Sequence, residues 1–125
     1  MPAEPAVVGA SPMHETRILE ASRQRATGRG IYPAIPAHSP AAPAFEPITL
    51  SPEAVLYSFT VIHPNPKSGE RPFVLIYADF VEDVRVFGRL DLPEGIPPRI
   101  GMRLRPVSDD EAGSYRFQLV EGAPR

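Results

Sequence analysis

Six prolines, Pro33, Pro36, Pro40, Pro43, Pro47 and Pro52, fall between Tyr32 and Glu53. Each fixes φ and removes a backbone donor, so this stretch forms neither an internal helix nor a central strand. The stretch and its flank nevertheless hold Ile31, Tyr32, Ile35, Phe45, Ile48 and Leu50, more large apolar groups than an undocked linker carries. Together these features predict an ordered, extended strap over residues 29–53 that lies on a surface. Pro2, Pro5 and Pro12 mark a separate arm, expected to be flexible over residues 1–12.

Between arm and strap, Ile18 and Ala21 are three residues apart and Leu19 and Ala26 seven apart, so the four can share a helical face. Gly28 and Gly30 then stop the pattern. The spacing predicts a helix over residues 13–28, weak alone because half of its stripe is alanine.

From Val55 the rhythm changes to period two. Val55, Tyr57, Phe59, Val61 and His63 alternate with Leu56, Ser58, Thr60 and Ile62. Further alternating runs cover Phe73 to Phe80, Val84 to Leu90, Gly101 to Val107 and Tyr115 to Val120, with turn residues between them. Five short strands over residues 54–121 predict a closed barrel, because closure removes the edges an open sheet leaves exposed. The expected fold is all-β: a five-stranded oligonucleotide/oligosaccharide-binding (OB) barrel preceded by a helix and a strap.

Composition narrows the function classes. The chain has 125 residues, a formal net charge of −2 and a pI near 5.9, so no basic field invites a phosphate backbone. It has no cysteine, which excludes disulfides, thiolate metal ligands and a cysteine nucleophile. No apolar run approaches the roughly 20 residues of a membrane helix, and the opening Met1-Pro2-Ala3-Glu4-Pro5 is not a signal peptide. A cytoplasmic location is the expectation.

Candidate chemistry is sparse. His14, His38 and His63 lack metal-ligand spacing. Asp79, Glu82 and Asp83 cluster at a hairpin, where acidic residues are ordinarily turn formers. Tyr57, Phe59, Phe73 and Tyr77 would suit a base-stacking platform, but their alternation assigns them to the barrel interior. Arg103 and Arg105, two apart on one strand, share a face that could hold phosphate groups, though a solvated outer face is the plainer reading. Arg85 and Arg89 likewise share a face.

One further pattern lies between Arg23 and Leu50. Gln24 and Thr27 keep the spacing of a C-x-x-C knuckle, with Gly28 where its turn glycine belongs, and Ser39-Pro40-x-Ala42 keeps the spacing of C-P-x-C. With Leu56-Tyr57-Ser58-Phe59-Thr60-Val61-Ile62-His63, Pro72-Phe73-Val74-Leu75-Ile76-Tyr77, Val86-Phe87-Gly88-Arg89-Leu90 and Ile100-Gly101-Met102-Arg103-Leu104, the chain resembles the acyl-CoA-associated OB-fold family, once filed as domain of unknown function thirty-five. The resemblance covers about Glu15 to Val120. Members carry an N-terminal helix, a rubredoxin-like zinc ribbon and an OB barrel. Here the four ligand positions, Gln24, Thr27, Ser39 and Ala42, have lost their cysteines, and Pro52-Glu53-Ala54 replaces a glycine-rich entry to the first barrel strand.

What the resemblance implies is a non-catalytic accessory subunit of a thiolase-fold enzyme, whether thiolase, thiolase-like aldolase or acyltransferase. Acyl-CoA would be met through that partner in a hetero-oligomer, two-plus-two by analogy with dimeric thiolase cores, with no cofactor on this chain and with Arg103 and Arg105 as the candidates for the coenzyme A phosphates. The expected interface is the helix at Arg17, Ile18 and Leu19, the strap at Ile31, Tyr32, Ile35 and Phe45, and the Pro64 to Pro72 loop. The alternatives are an OB-fold binder of single-stranded nucleic acid and a stand-alone coenzyme A module.

Overall fold

The computed structural model describes residues 15–109 and 114–120. The arm over residues 1–12 lies outside them, as do Met13 and His14.

Two sheets share one core. Strands β1 (Glu20–Gln24), β2 (Gly30–Ile31) and β3 (Phe45–Thr49) form a small antiparallel sheet in the order β2-β1-β3. Strands β4 (Ala54–Ile62), β5 (Phe73–Phe80), β6 (Val84–Asp91), β7 (Arg103–Ser108) and β8 (Tyr115–Leu119) close a barrel in the order β4-β5-β6-β8-β7. Every barrel pairing is antiparallel except β6 with β8. This is the five-stranded Greek-key arrangement of an OB fold, as the alternation predicted.

The helix expected over residues 13–28 is not formed in its described part, which is extended from Glu15 and becomes β1. Leu19 and Ala21 are buried two residues apart while Ile18 is exposed, a period-two burial. The apolar stripe was too thin to hold an isolated helix. The extended chain instead gains a strand on each side, β2 and β3, with Leu50 donating its N–H to the Leu19 carbonyl at 2.9 Å. In the strap, Pro47 sits on β3, an edge strand, where a missing amide is tolerated.

Leu19, Ala21 and Leu50 of this small sheet join Leu56, Ile76, Phe80, Val84, Leu90, Leu104 and Phe117 of the barrel in one apolar cluster. Polar contacts pin the junction. Arg23 donates to the Glu82 carbonyl at 2.7 Å, and the Glu82 carboxylate receives the Ser51 hydroxyl at 2.6 Å and the Ser51 amide at 3.1 Å. Burial opposes the charge on Glu82, but these Ser51 bonds, with Arg23 nearby, outweigh it and hold the carboxyl below its ordinary 4.5. Tyr32 meets Tyr115 edge-on, with ring centroids 5.8 Å apart. Burial, and then the neighbouring Tyr32, push the Tyr115 hydroxyl up to about 12, and it donates to the Phe87 carbonyl. Among the described residues no helix is long and apolar enough to cross a membrane.

Gly30 marks the closest approach of the two sheets: a Cβ there would strike the Val84 side chain and lie 3.1 Å from the Asp83 carbonyl. Gly30→Ala is expected to destabilise the fold by about 1–3 kcal/mol through overpacking, read as a lowered urea midpoint. The Glu82 clamp carries an acid dependence. A carboxyl held low in the folded state stabilises above its unfolded pKa, and that stability is lost as pH falls through the folded value. Urea midpoints at pH 7 and at about pH 3 should therefore differ less for Glu82→Gln than for the wild type; an equal difference would remove Glu82 as the cause.

Candidate partner-docking face

β4 departs from simple alternation at Tyr57. Leu56 pairs with Ala78 and Ser58 with Tyr77, so Tyr57 is the extra residue of a β-bulge. Beyond the bulge the two faces exchange parity: Val55, Ser58, Thr60 and Ile62 stand opposite the outward residues of β5, while Phe59 and Val61 stand opposite Ile76 and Val74. The barrel core is built from Leu56, Ile76, Ala78, Val84, Val86 and Phe117. Tyr57 and Tyr77 are not interior, contrary to the expectation that their face lines the core; they are 50% and 45% exposed.

Cross-strand register assembles an outer face from β4, β5 and β6. Val55, Asp79 and Arg85 make one row, Ser58, Tyr77 and Phe87 the next, and Thr60, Leu75 and Arg89 a third. Val55 and Phe87 are 45% and 50% exposed. Tyr77 and Phe87 pack with ring centroids 5.3 Å apart, and a cleft of about 240 Å³ runs between them and Ser58, Thr60, Ile62 and Leu75. The rim is ion-paired. Arg85 donates to both Asp79 oxygens, at 2.6 and 3.0 Å, and stacks 3.4 Å above the Tyr57 ring. The hydrogen bond to Asp79 is the main cause that raises the already high Arg85 pKa. Arg103, beside Val55 on β7, pairs with Glu53 at 2.6 Å, and Arg89 lies 4.6 Å from the Phe73 ring centre. Aromatic anchors with a paired polar rim are the anatomy of a protein-binding patch.

The residues singled out from sequence are distributed otherwise. Arg103 and Arg105 do not converge: Arg105 is 8% exposed and donates to Thr16 and Gln118, whereas Arg103 faces outward to Glu53. Arg17 is bound to the barrel through Pro106 and the Ser114 carbonyl, Leu19 is core, and Tyr32 packs on Tyr115. Ile35 and Phe45 are half-buried, leaving Ile18 and Ile31 as the exposed apolar members of that set. Of the acidic cluster, Asp79 is engaged by Arg85 and Glu82 by Ser51. His38 and His63 are exposed.

The knuckle positions retain turns without a metal-binding donor set. Gly28, at φ 78°, donates to the Gln24 carbonyl at 2.7 Å, and the Thr27 hydroxyl donates to the Gln24 side chain at 2.7 Å. In the second turn Ala42 donates to the Ser39 carbonyl, while the Ser39 hydroxyl accepts from the Ala41 amide. Arg25 joins the turns by donating to the Ala44 and Pro43 carbonyls. One amide, two hydroxyls and a methyl do not fit zinc, which takes thiolate, imidazole or carboxylate. Among the described residues no group of three or more such donors gathers anywhere.

Residues 48–109 match the family model described as ChsH2, C-terminal OB-fold domain. The solved structure described as the Ltp2-ChsH2(DUF35) aldolase superposes with a TM-score of 0.58 over 81% of this chain and 84% of that chain, at 21% sequence identity. Among curated proteins none matches the sequence. Over residues 48–109 the barrel matches the ChsH2 C-terminal OB-fold family, which supports the resemblance to the acyl-CoA-associated OB-fold proteins, with Gln24, Thr27, Ser39 and Ala42 at the zinc-ligand positions.

Proposed function

We propose that this chain is a non-catalytic subunit that docks on a thiolase-fold enzyme acting on acyl-CoA thioesters, with the outer face of β4, β5 and β6 as its contact surface. The observation that carries the reading is the ChsH2-type barrel, since the structure it resembles is described as an aldolase assembly containing a ChsH2 DUF35 component. The exposed Tyr57, Tyr77 and Phe87 supply the anchors such a contact needs. The chemistry belongs to the partner: Asp79, Glu82 and Glu53 of this chain are engaged by Arg85, Ser51 and Arg103. A hetero-oligomer of two copies of each subunit is the proposed stoichiometry.

Charge argues against a nucleic-acid role for the same face. Asp79 and Glu53 neutralise Arg85 and Arg103, and the net charge is −2. An oligonucleotide groove needs the opposite balance.

The test is purification of the tagged chain from its native lysate, with mass spectrometry of what remains bound. A near-stoichiometric thiolase-fold protein is the expected result. Phe87→Ala and Tyr77→Ala should each weaken that complex by at least ~10-fold, the cost of removing an interface anchor worth about 2 kcal/mol. Absence of any thiolase-fold protein, or nuclease-sensitive capture of nucleic-acid proteins, would reject the proposal.

A further inference from the structure

Strand β4 is paired along its length on one side and only at its start on the other. Ala54 and Val55 pair with Leu104 and Arg103 of β7, and Leu56 bonds to Met102 and Gly101. Among the described residues, no strand runs beside Ser58–Ile62 on that side. Antiparallel pairing with β5 turns the N–H and C=O of every second residue away from β5, so this edge presents main-chain donors and acceptors outward. Phe59 and Val61 are 37% and 39% exposed there.

Along Ser58–Ile62 the edge lacks the charges and prolines that keep edges single, the Tyr57 bulge lying just before it. Ser58-Phe59-Thr60-Val61-Ile62 contains no charge, no proline and no glycine, and only after it come Pro64, Pro66 and Lys67. Edges that must stay free ordinarily carry such blockers. Unpaired main-chain groups in an extended row select one kind of occupant, another extended strand.

We infer that this strand is β4 of a second copy of the chain, paired antiparallel about a two-fold axis through Thr60. Residues of equal parity then meet on the same side of the sheet. Thr60 faces its own counterpart, Phe59 faces Val61, and Ser58 faces Ile62, each pair formed twice or on the axis. Threonine–threonine and aromatic–β-branched pairs are favourable cross-strand neighbours, and no like charges oppose. The segment is thus self-complementary, as an isologous contact requires. Phe59 and Val61, stranded where the barrel no longer covers them, gain an apolar neighbour. Five residues of edge are a short strip beside the roughly 800 Å² per partner of a standard interface, so the pair exchanges with monomer as concentration changes. This inference stands independently of the enzyme partner proposed above.

The absence of native cysteine makes the test direct. Directly opposed residues approach to about 4.5–5.5 Å, within disulfide reach. Light scattering of the full chain should show its mass rising from monomer towards dimer with concentration. Oxidised Thr60→Cys should run as a covalent dimer, and the loop control Lys67→Cys should not. Thr60→Lys, which sets two ammonium groups face to face, should hold the chain monomeric while its circular dichroism stays unchanged.

A wild type that remains monomeric at all concentrations, with Thr60→Cys cross-linking no faster than Lys67→Cys, overturns the inference. Slow amide exchange over residues 58–62 in such a monomer would assign the edge to the chain's own terminal residues. A wild type that is monomeric alone and whose enzyme capture is lost on Thr60→Lys would place Thr60, a member of the outer face, in the enzyme contact instead. Both results equally overturn the second-copy pairing.

Discussion

The junction between the small sheet and the barrel is the constraint on which the rest of the structure depends. A three-stranded sheet with a two-residue member has no core of its own, and no metal donor set ties its turns. It persists by lending Leu19, Ala21 and Leu50 to the barrel core and by fastening Arg23 and Ser51 to Glu82 in the β5–β6 turn. In a zinc ribbon the ion contributes folding free energy locally. Here that contribution is replaced by non-local packing, which makes the ribbon and barrel one folding unit. Gly30 and the Tyr32–Tyr115 contact follow from the same closeness, since both lie where the two sheets touch.

A second consequence is directional. Because the ribbon covers the barrel near the β5–β6 turn and Tyr115, it leaves the outer face of β4, β5 and β6 bare. That face is aromatic at its centre and ion-paired at its rim, a pattern suited to a desolvating protein contact and unsuited to a polyanion. The Tyr57 bulge shapes the distal half of β4. It sets Ser58, Thr60 and Ile62 on the outer face beside Tyr57, turns Phe59 and Val61 the other way, and lies next to the point where β4 parts from β7.

Much of the barrel was legible in the sequence. Period-two runs bounded by Pro64–Pro72, Glu82–Asp83 and Pro93–Pro98 locate β4, β5, β6, β7 and β8 to within a residue or two at most ends. The strap's prolines correctly barred a central strand, since Pro47 sits on an edge. The segment after Glu15 was not legible as β1, because Ile18, Ala21 and Ala26 fit a helical stripe, and the competing strand partners, β2 and β3, lie up to about 30 residues downstream. The outer face was not legible for a different reason. Alternation separates two faces without saying which is inside, so Tyr57 and Tyr77 fit either, and nothing in Leu56-Tyr57-Ser58 announces the bulge that moves Phe59 and Val61 to the other face.

By itself, the sequence determined that the chain is all-β over its C-terminal half, that thiolate metal chemistry is impossible, and that no basic field surrounds it. These follow from local properties: alternation, proline's missing amide, the absence of cysteine and the sum of charges. Only the tertiary structure decided which arginines are available, which aromatics face out and which strand edge stays open. Arg103 and Arg105 are alike in sequence, yet one reaches Glu53 at the surface and the other is buried against Thr16. The difference arises because the exposure of a barrel residue depends on what packs over it, and here that is a segment nearly 90 residues upstream, whose path the local sequence of β7 does not encode.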